Sequence, residues 1–163
     1  MEEQMAKAIE LVGEEEEKEI YNRKLARDVV FKLVFEYEVQ GEEMVQRLAV
    51  LEAYPFQKRD KDYISGSVKG IVQHIEQIDR MIAQYSQNWD IHRLSKVTIA
   101  AIRVGVYELL FLEDIPPRVT INECINLAKK YDVPASGKFV NGILANVYQK
   151  QEKTPVQEER TME

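Results

Sequence analysis

The sequence predicts an all-α fold, and three observations carry that prediction. Apolar residues recur with alternating spacings of four and three along most of the chain, the signature of one buried helix face. Glycine and proline fall between these periodic stretches, where helices stop and start. No alternating strand-like run flanks an Asn-Gly turn, and Asn141-Gly142 lies inside a helical pattern.

In chain order, Ala26, Val30, Leu33 and Tyr37 form a stripe within Arg23 to Gln40, and Gly41 supplies the stop. A short helix is expected over Glu42 to Glu52, before Tyr54-Pro55-Phe56 interrupts the pattern. Ile64, Val68, Ile71, Ile75, Ile78, Ile82 and Tyr85 then predict a single long core helix of about six turns. The Ser65-Gly66-Ser67 stretch offers a soft point where that helix could bend, and close packing is the expected reason for Gly66 and Gly70. Trp89 falls in the next loop. Leu94 to Leu112 is apolar on most sides, which predicts a central helix packed against several neighbours.

Pro116-Pro117 is expected to end that element, and Thr120-Ile121-Asn122-Glu123 fits a capping box, with the Thr120 hydroxyl taking a first-turn amide. Ile121, Ile125 and Ala128 continue inward. A last helix starts at Pro134-Ala135-Ser136 and buries Phe139, Val140, Ile143, Leu144 and Val147.

Charge is distributed unevenly. The chain carries −6 overall, with 22 basic and 28 acidic residues, but residues 1–20 hold eight Glu against Lys7 and Lys18, and residues 151–163 hold four Glu against Lys153 and Arg160. The remaining residues, 21–150, therefore carry +2, a mildly basic folded part flanked by an acidic, flexible extension at 1–20 and a disordered tail at 151–163. One cysteine, no basic–apolar leader at Met1 to Met5, and no apolar run long enough for a membrane predict a cytoplasmic protein.

Few groups converge for catalysis. His74 and His92 have no second His or Cys at zinc-site spacing, Cys124 sits on an inward face as a small hydrophobe, and the pairs Glu36/Glu38 and Asp60/Asp62 read as solvated charges. Two helix starts stand out instead. Arg23-Lys24-Leu25-Ala26-Arg27 places cations where they oppose the helix dipole, an arrangement expected when an anion binds or an acid pairs nearby. Ser136-Gly137-Lys138-Phe139 offers free amides, a small residue and a lysine, as an anion site does.

In this order, Arg23-Lys24-Leu25-Ala26-Arg27, Arg103-Val104-Gly105-Val106-Tyr107-Glu108-Leu109, Ile121-Asn122-Glu123 through Leu127-Ala128-Lys129, and Gly137-Lys138-Phe139-Val140-Asn141-Gly142-Ile143-Leu144 resemble the NusB transcription antitermination family from about Asn22 to Gln149. The resemblance implies about seven helices in two packed helical subdomains. It also implies binding of the boxA element of nascent ribosomal RNA transcripts together with NusE, a small-subunit ribosomal protein. The product is a termination-resistant RNA polymerase elongation complex with other Nus factors, formed without catalysis, cofactor or metal.

Carried over by position, the RNA-facing residues would be Arg23, Lys24, Arg27, Ser136, Gly137, Lys138 and Phe139, and Thr98 with its exposed neighbours would meet NusE. Tyr37 is a stacking candidate whose place in the core stripe favours packing. Arg103 is expected to be buried and to need an acid such as Glu108 or Glu123. Family members occur as monomers and as homodimers that hide the RNA surface. The alternative is a protein–protein adaptor using the same bundle without RNA.

Overall fold

The computed structural model describes residues 21–86 and 93–153. The acidic extension, Trp89, His92 and the tail beyond Lys153 lie outside the described residues. Six α-helices and one 3-10 segment are formed among those described: α1 (Arg23–Gln40), the 3-10 segment (Gly41–Ala53), α2 (Lys58–Gln73), α3 (Ile75–Tyr85), α4 (Lys96–Phe111), α5 (Pro117–Tyr131) and α6 (Ser136–Lys153). The chain divides into two compact units, Met1–Gln73 and His74–Glu163.

In the first unit, α1 packs on α2 and on the 3-10 segment. The Asn22 side chain caps α1 by accepting from the Leu25 amide at 3.1 Å, and Gly41 ends it with φ at 71°, a left-handed conformation that glycine adopts without a Cβ penalty. Ala26, Val30 and Leu33 are buried as expected, while Tyr37 is half-buried. The stretch expected as a short α-helix is wound as a 3-10 helix, burying only Met44 and Leu51.

The single long helix expected over Ile64 to Tyr85 is two. At His74 the backbone leaves helical geometry (φ −106°, ψ 21°), although the Ile78 amide still reaches the His74 carbonyl at 2.9 Å. The break falls at the boundary between the two units, not at Ser65-Gly66-Ser67. A Cβ at Gly66 would meet nothing within 4 Å, so close packing is not the reason for that glycine. The His74 ring stacks on Phe111 of α4 at 4.5 Å, a tertiary contact that no periodicity reports.

In the second unit, α4 is central: α3, α5 and α6 all pack against it, and every residue from Ala100 to Glu108 is buried. Gly105 lets α6 approach, since a Cβ there would stand 2.5 Å from Leu144 Cδ1. Arg103 is satisfied by Asp79 of α3, donating from Nε to Oδ1 and from Nη2 to Oδ2, each at 2.9 Å. This acid was not among those the sequence nominated for Arg103, and its two-pronged geometry explains how a buried guanidinium is tolerated.

The capping box predicted at Thr120 is not formed. Helix α5 begins three residues earlier, at Pro117, whose fixed φ suits the first helical position and whose missing amide costs nothing there. Thr120 is therefore interior, and its hydroxyl donates to the buried Glu108 carboxylate at 2.9 Å. Cys124 is fully buried, as read from its face.

Candidate nucleic-acid interface

The start of α1 gathers Arg23, Lys24 and Arg27 within the first unit. Arg23 Nε donates to Asp60 Oδ1 of α2 at 2.9 Å, with the arginine side chain 30% exposed and the aspartate 2%. The Arg23 guanidinium also lies 4.2 Å from the Tyr63 ring centroid, so cation–π attraction and the ion pair hold it in one orientation. Arg27 is 3% exposed and sits 5.8 Å from the same ring. Lys24 is exposed. Asp60, read from sequence as a solvated charge, is instead the buried acid that offsets the unfavourable placement of cations at a helix N-terminus.

The start of α6 lies in the second unit and is built differently. The amides of Ser136, Gly137 and Lys138 donate to the carbonyls of Val133, Pro134 and Ala135 at 3.0, 3.3 and 3.2 Å. The expectation of free amides there is therefore overturned: the turn before the helix consumes them. Ser136 is 4% exposed and Gly137 is buried, leaving Lys138 exposed and Phe139 half-buried as the groups that face outward.

Beside this start stands a polar knot. Asp132, which ends α5, accepts from the hydroxyls of Ser95 and Thr98, the latter at 2.9 Å, and from the Val133 amide at 2.8 Å. The Ser95 hydroxyl foremost, opposed by desolvation and helped by the Val133 amide and the Thr98 and Ser136 side chains, holds the Asp132 carboxyl below the usual carboxylate range. Ser95 also caps α4, taking the Thr98 amide at 3.0 Å. Thr98 is 2% exposed, and its neighbours Ser95 and Lys96 are exposed.

Sequence reasoning missed Asp60, Tyr63 and Asp132. Asp60 lies 37 residues from Arg23 and Asp132 lies 34 from Thr98, so neither contact leaves a local pattern. Ser95 at the head of an apolar run was the one readable signal, an N-cap residue type in an N-cap position. Among the described residues there is no group of three or more His, Cys, Asp or Glu that could hold a metal, and no helix long and apolar enough to cross a membrane.

Among the described residues the chain is all-helical, in two compact units with a basic start on one helix of each. Residues 24–149 match the model of the NusB family, and the chain belongs to that family. It is 38% identical over 126 residues to the transcription antitermination protein NusB of Acetivibrio thermocellus, covering 77% of this chain and 87% of that one. The structure of T. maritima NusB superposes with a TM-score of 0.71 at 38% identity, covering 78% of this chain and 91% of that one. A chain in the crystal structure of the antitermination factors NusB and NusE in complex with double-stranded RNA matches with a TM-score of 0.69 at 34% identity, covering 78% and 96%.

Proposed function

We propose that this protein is a transcription antitermination factor that binds boxA RNA of nascent ribosomal RNA transcripts together with NusE, in the cytoplasm and on the RNA polymerase elongation complex with other Nus factors. The observation that carries the reading is the match over nearly the whole folded part to a chain in a complex of NusB and NusE with RNA. The body that binds spans residues 21–150, and the acidic residues 1–20 and the tail 151–163 lie outside it.

Lys24 and Lys138, exposed at the two basic helix starts, pair with phosphates, while Arg23 and Phe139 offer flat faces to unpaired bases. Arg27, Ser136 and Gly137 support these starts from within. NusE meets the exposed neighbours of Thr98, Ser95 and Lys96. No step of this function requires a cofactor or a bond to be made.

Fluorescence anisotropy of a boxA RNA, titrated with this protein alone and with NusE at two salt concentrations, tests the reading. Salt-sensitive binding that NusE strengthens and a Lys24/Lys138→Ala variant weakens is expected. Absence of binding under every condition would leave an RNA-free adaptor as the better account. Sizing the protein with and without RNA reports whether a homodimer competes with the RNA.

A further inference from the structure

Arg23 is held from within. Its Nε donates to Asp60 Oδ1 at 2.9 Å, and its guanidinium carbon lies 4.2 Å from the centroid of the Tyr63 ring. Asp60 and Tyr63 are both buried and stand about one turn apart on α2, so the two side chains reach the same guanidinium from one helix. Arg23 keeps 30% of its side chain exposed. Its terminal nitrogens, Nη1 and Nη2, meet no hydrogen-bond partner among the described residues.

Other paired arginines use their terminal nitrogens inside the fold. Arg103 donates to Asp79 from Nε and Nη2, and Arg47 donates to Glu36 from Nη1. A guanidinium grips a phosphate through two parallel N–H groups, and with Nε engaged on Asp60 the pair left to Arg23 is Nη1 and Nη2. Immobilising a long side chain on binding costs conformational entropy, and a guanidinium already fixed by a buried carboxylate and a ring avoids much of that cost.

We infer that Asp60 and Tyr63 are positioning residues for RNA binding: they fix the Arg23 guanidinium so that Nη1 and Nη2 together take one backbone phosphate. The inference rests on the RNA-binding reading and deepens it. Asp60 and Tyr63 act through Arg23 and not by touching RNA. The charge of Asp60 repels a phosphate, so what it contributes is the place in which it holds Arg23 and not the field it adds. A guanidinium engaged on its edge by a phosphate still offers a face to a base, so this contact is compatible with stacking.

The test titrates the full chain into single-stranded boxA RNA with NusE present, comparing Asp60→Asn, Asp60→Ala, Tyr63→Phe, Tyr63→Leu and Arg23→Gln under conditions where circular dichroism shows each variant folded. Asp60→Asn and Asp60→Ala remove the same charge, but the asparagine side-chain oxygen can still accept from Arg23 Nε. Asp60→Ala is therefore expected to bind about fivefold more weakly than Asp60→Asn, the effect of ordering one long side chain on binding. Tyr63→Phe keeps the intact affinity, and Tyr63→Leu loses about threefold with the ring. Both differences vanish in an Arg23→Gln background. RNA carrying one neutral methylphosphonate at a time locates the phosphate: at one position the change weakens the intact protein and Asp60→Asn and leaves Arg23→Gln unaffected. The Tyr63 pair and the methylphosphonate scan decide the matter by themselves should Asp60→Ala fail to fold. Equal affinities within both pairs, differences that survive without Arg23, or no phosphate whose neutralisation Arg23→Gln alone tolerates overturns this inference, and salt-sensitive binding by the intact protein then leaves the RNA-binding reading standing. If the intact protein does not bind at all, both fall.

Discussion

At the start of α1 the fold holds two arginines, whereas at the start of α6 it leaves the lysine clear. Arg23 is tied to a buried aspartate and stacked on a tyrosine, and Arg27 is buried beside it. Lys138 is exposed and has no ion pair among the described residues. The same sequence sign, basic residues at a helix N-terminus, thus corresponds to a structural arrangement in one unit and to an open positive surface in the other. The difference lies in whether tertiary structure delivers an acid.

That contrast predicts different costs when each start is altered. The largest belongs to Asp60→Ala. It leaves Arg23 without its partner, and because the arginine retains access to water the loss is expected near 2 kcal/mol and not the larger value of a fully buried pair. Urea unfolding checks it, and a loss below about 0.5 kcal/mol, the range of a neutral surface change, would erase the distinction between the two starts.

Arg23→Ala comes next and acts twice. It leaves the buried Asp60 carboxylate without this partner and loses the ring contact, so it should lower stability by about 2 kcal/mol as well, and RNA affinity by a few-fold through the lost charge. Lys24→Ala, at the same helix start but exposed, should change affinity alone. Parallel unfolding and anisotropy titrations separate the two effects, and a stability loss for Lys24→Ala equal to that of Arg23→Ala would show that the ion pair is not what sets Arg23 apart.

Lys138→Ala isolates the open start. Stability should remain within about 0.5 kcal/mol of the intact protein, while RNA affinity falls about fourfold near 0.15 M salt. A matching loss of stability would mean that this lysine, like Arg23, is held by the fold.

The smallest effect concerns acid. Because hydrogen bonds hold the Asp132 carboxyl below its ordinary value, the unfolded chain takes up this proton first as pH falls. The corresponding stability is present above about pH 4 and is lost as pH drops through the lower folded-state value. Asp132→Asn should remove this part of the acid dependence, read from thermal unfolding between about pH 5 and pH 2. An identical acid profile in the variant would show that the Ser95–Thr98–Asp132 knot does not depend on charge.

Much of the fold was legible before any coordinates. The stripe on α1, the stop at Gly41, the central character of α4, and the buried Val140, Ile143, Leu144 and Val147 of α6 follow from spacing alone. The candidate site was legible only in part. Lys24 and Lys138 are exposed where the residue order put them, but Arg27, Ser136, Gly137 and Thr98 are buried, because nothing in a short motif tells which of its members face the core.

The failures have a common form. Val68, Ile71, Ile75 and Ile78 keep helical spacing straight through His74, where the chain breaks between two units. Thr120 and Glu123 have the chemistry of a cap, yet Pro117 starts the helix a turn earlier and hands the threonine to Glu108.

What the sequence by itself determined is therefore which residues are helical, which faces are apolar, and which helix starts are basic, since each depends on neighbours within about four positions. Tertiary structure alone decided that Arg23 belongs to Asp60, Arg103 to Asp79 and Thr98 to Asp132, and that Lys129 lies over Gly137. Most of those partners stand 24 to 37 residues apart, and a charge finds its acid through the packing of helices and not through the order of the chain.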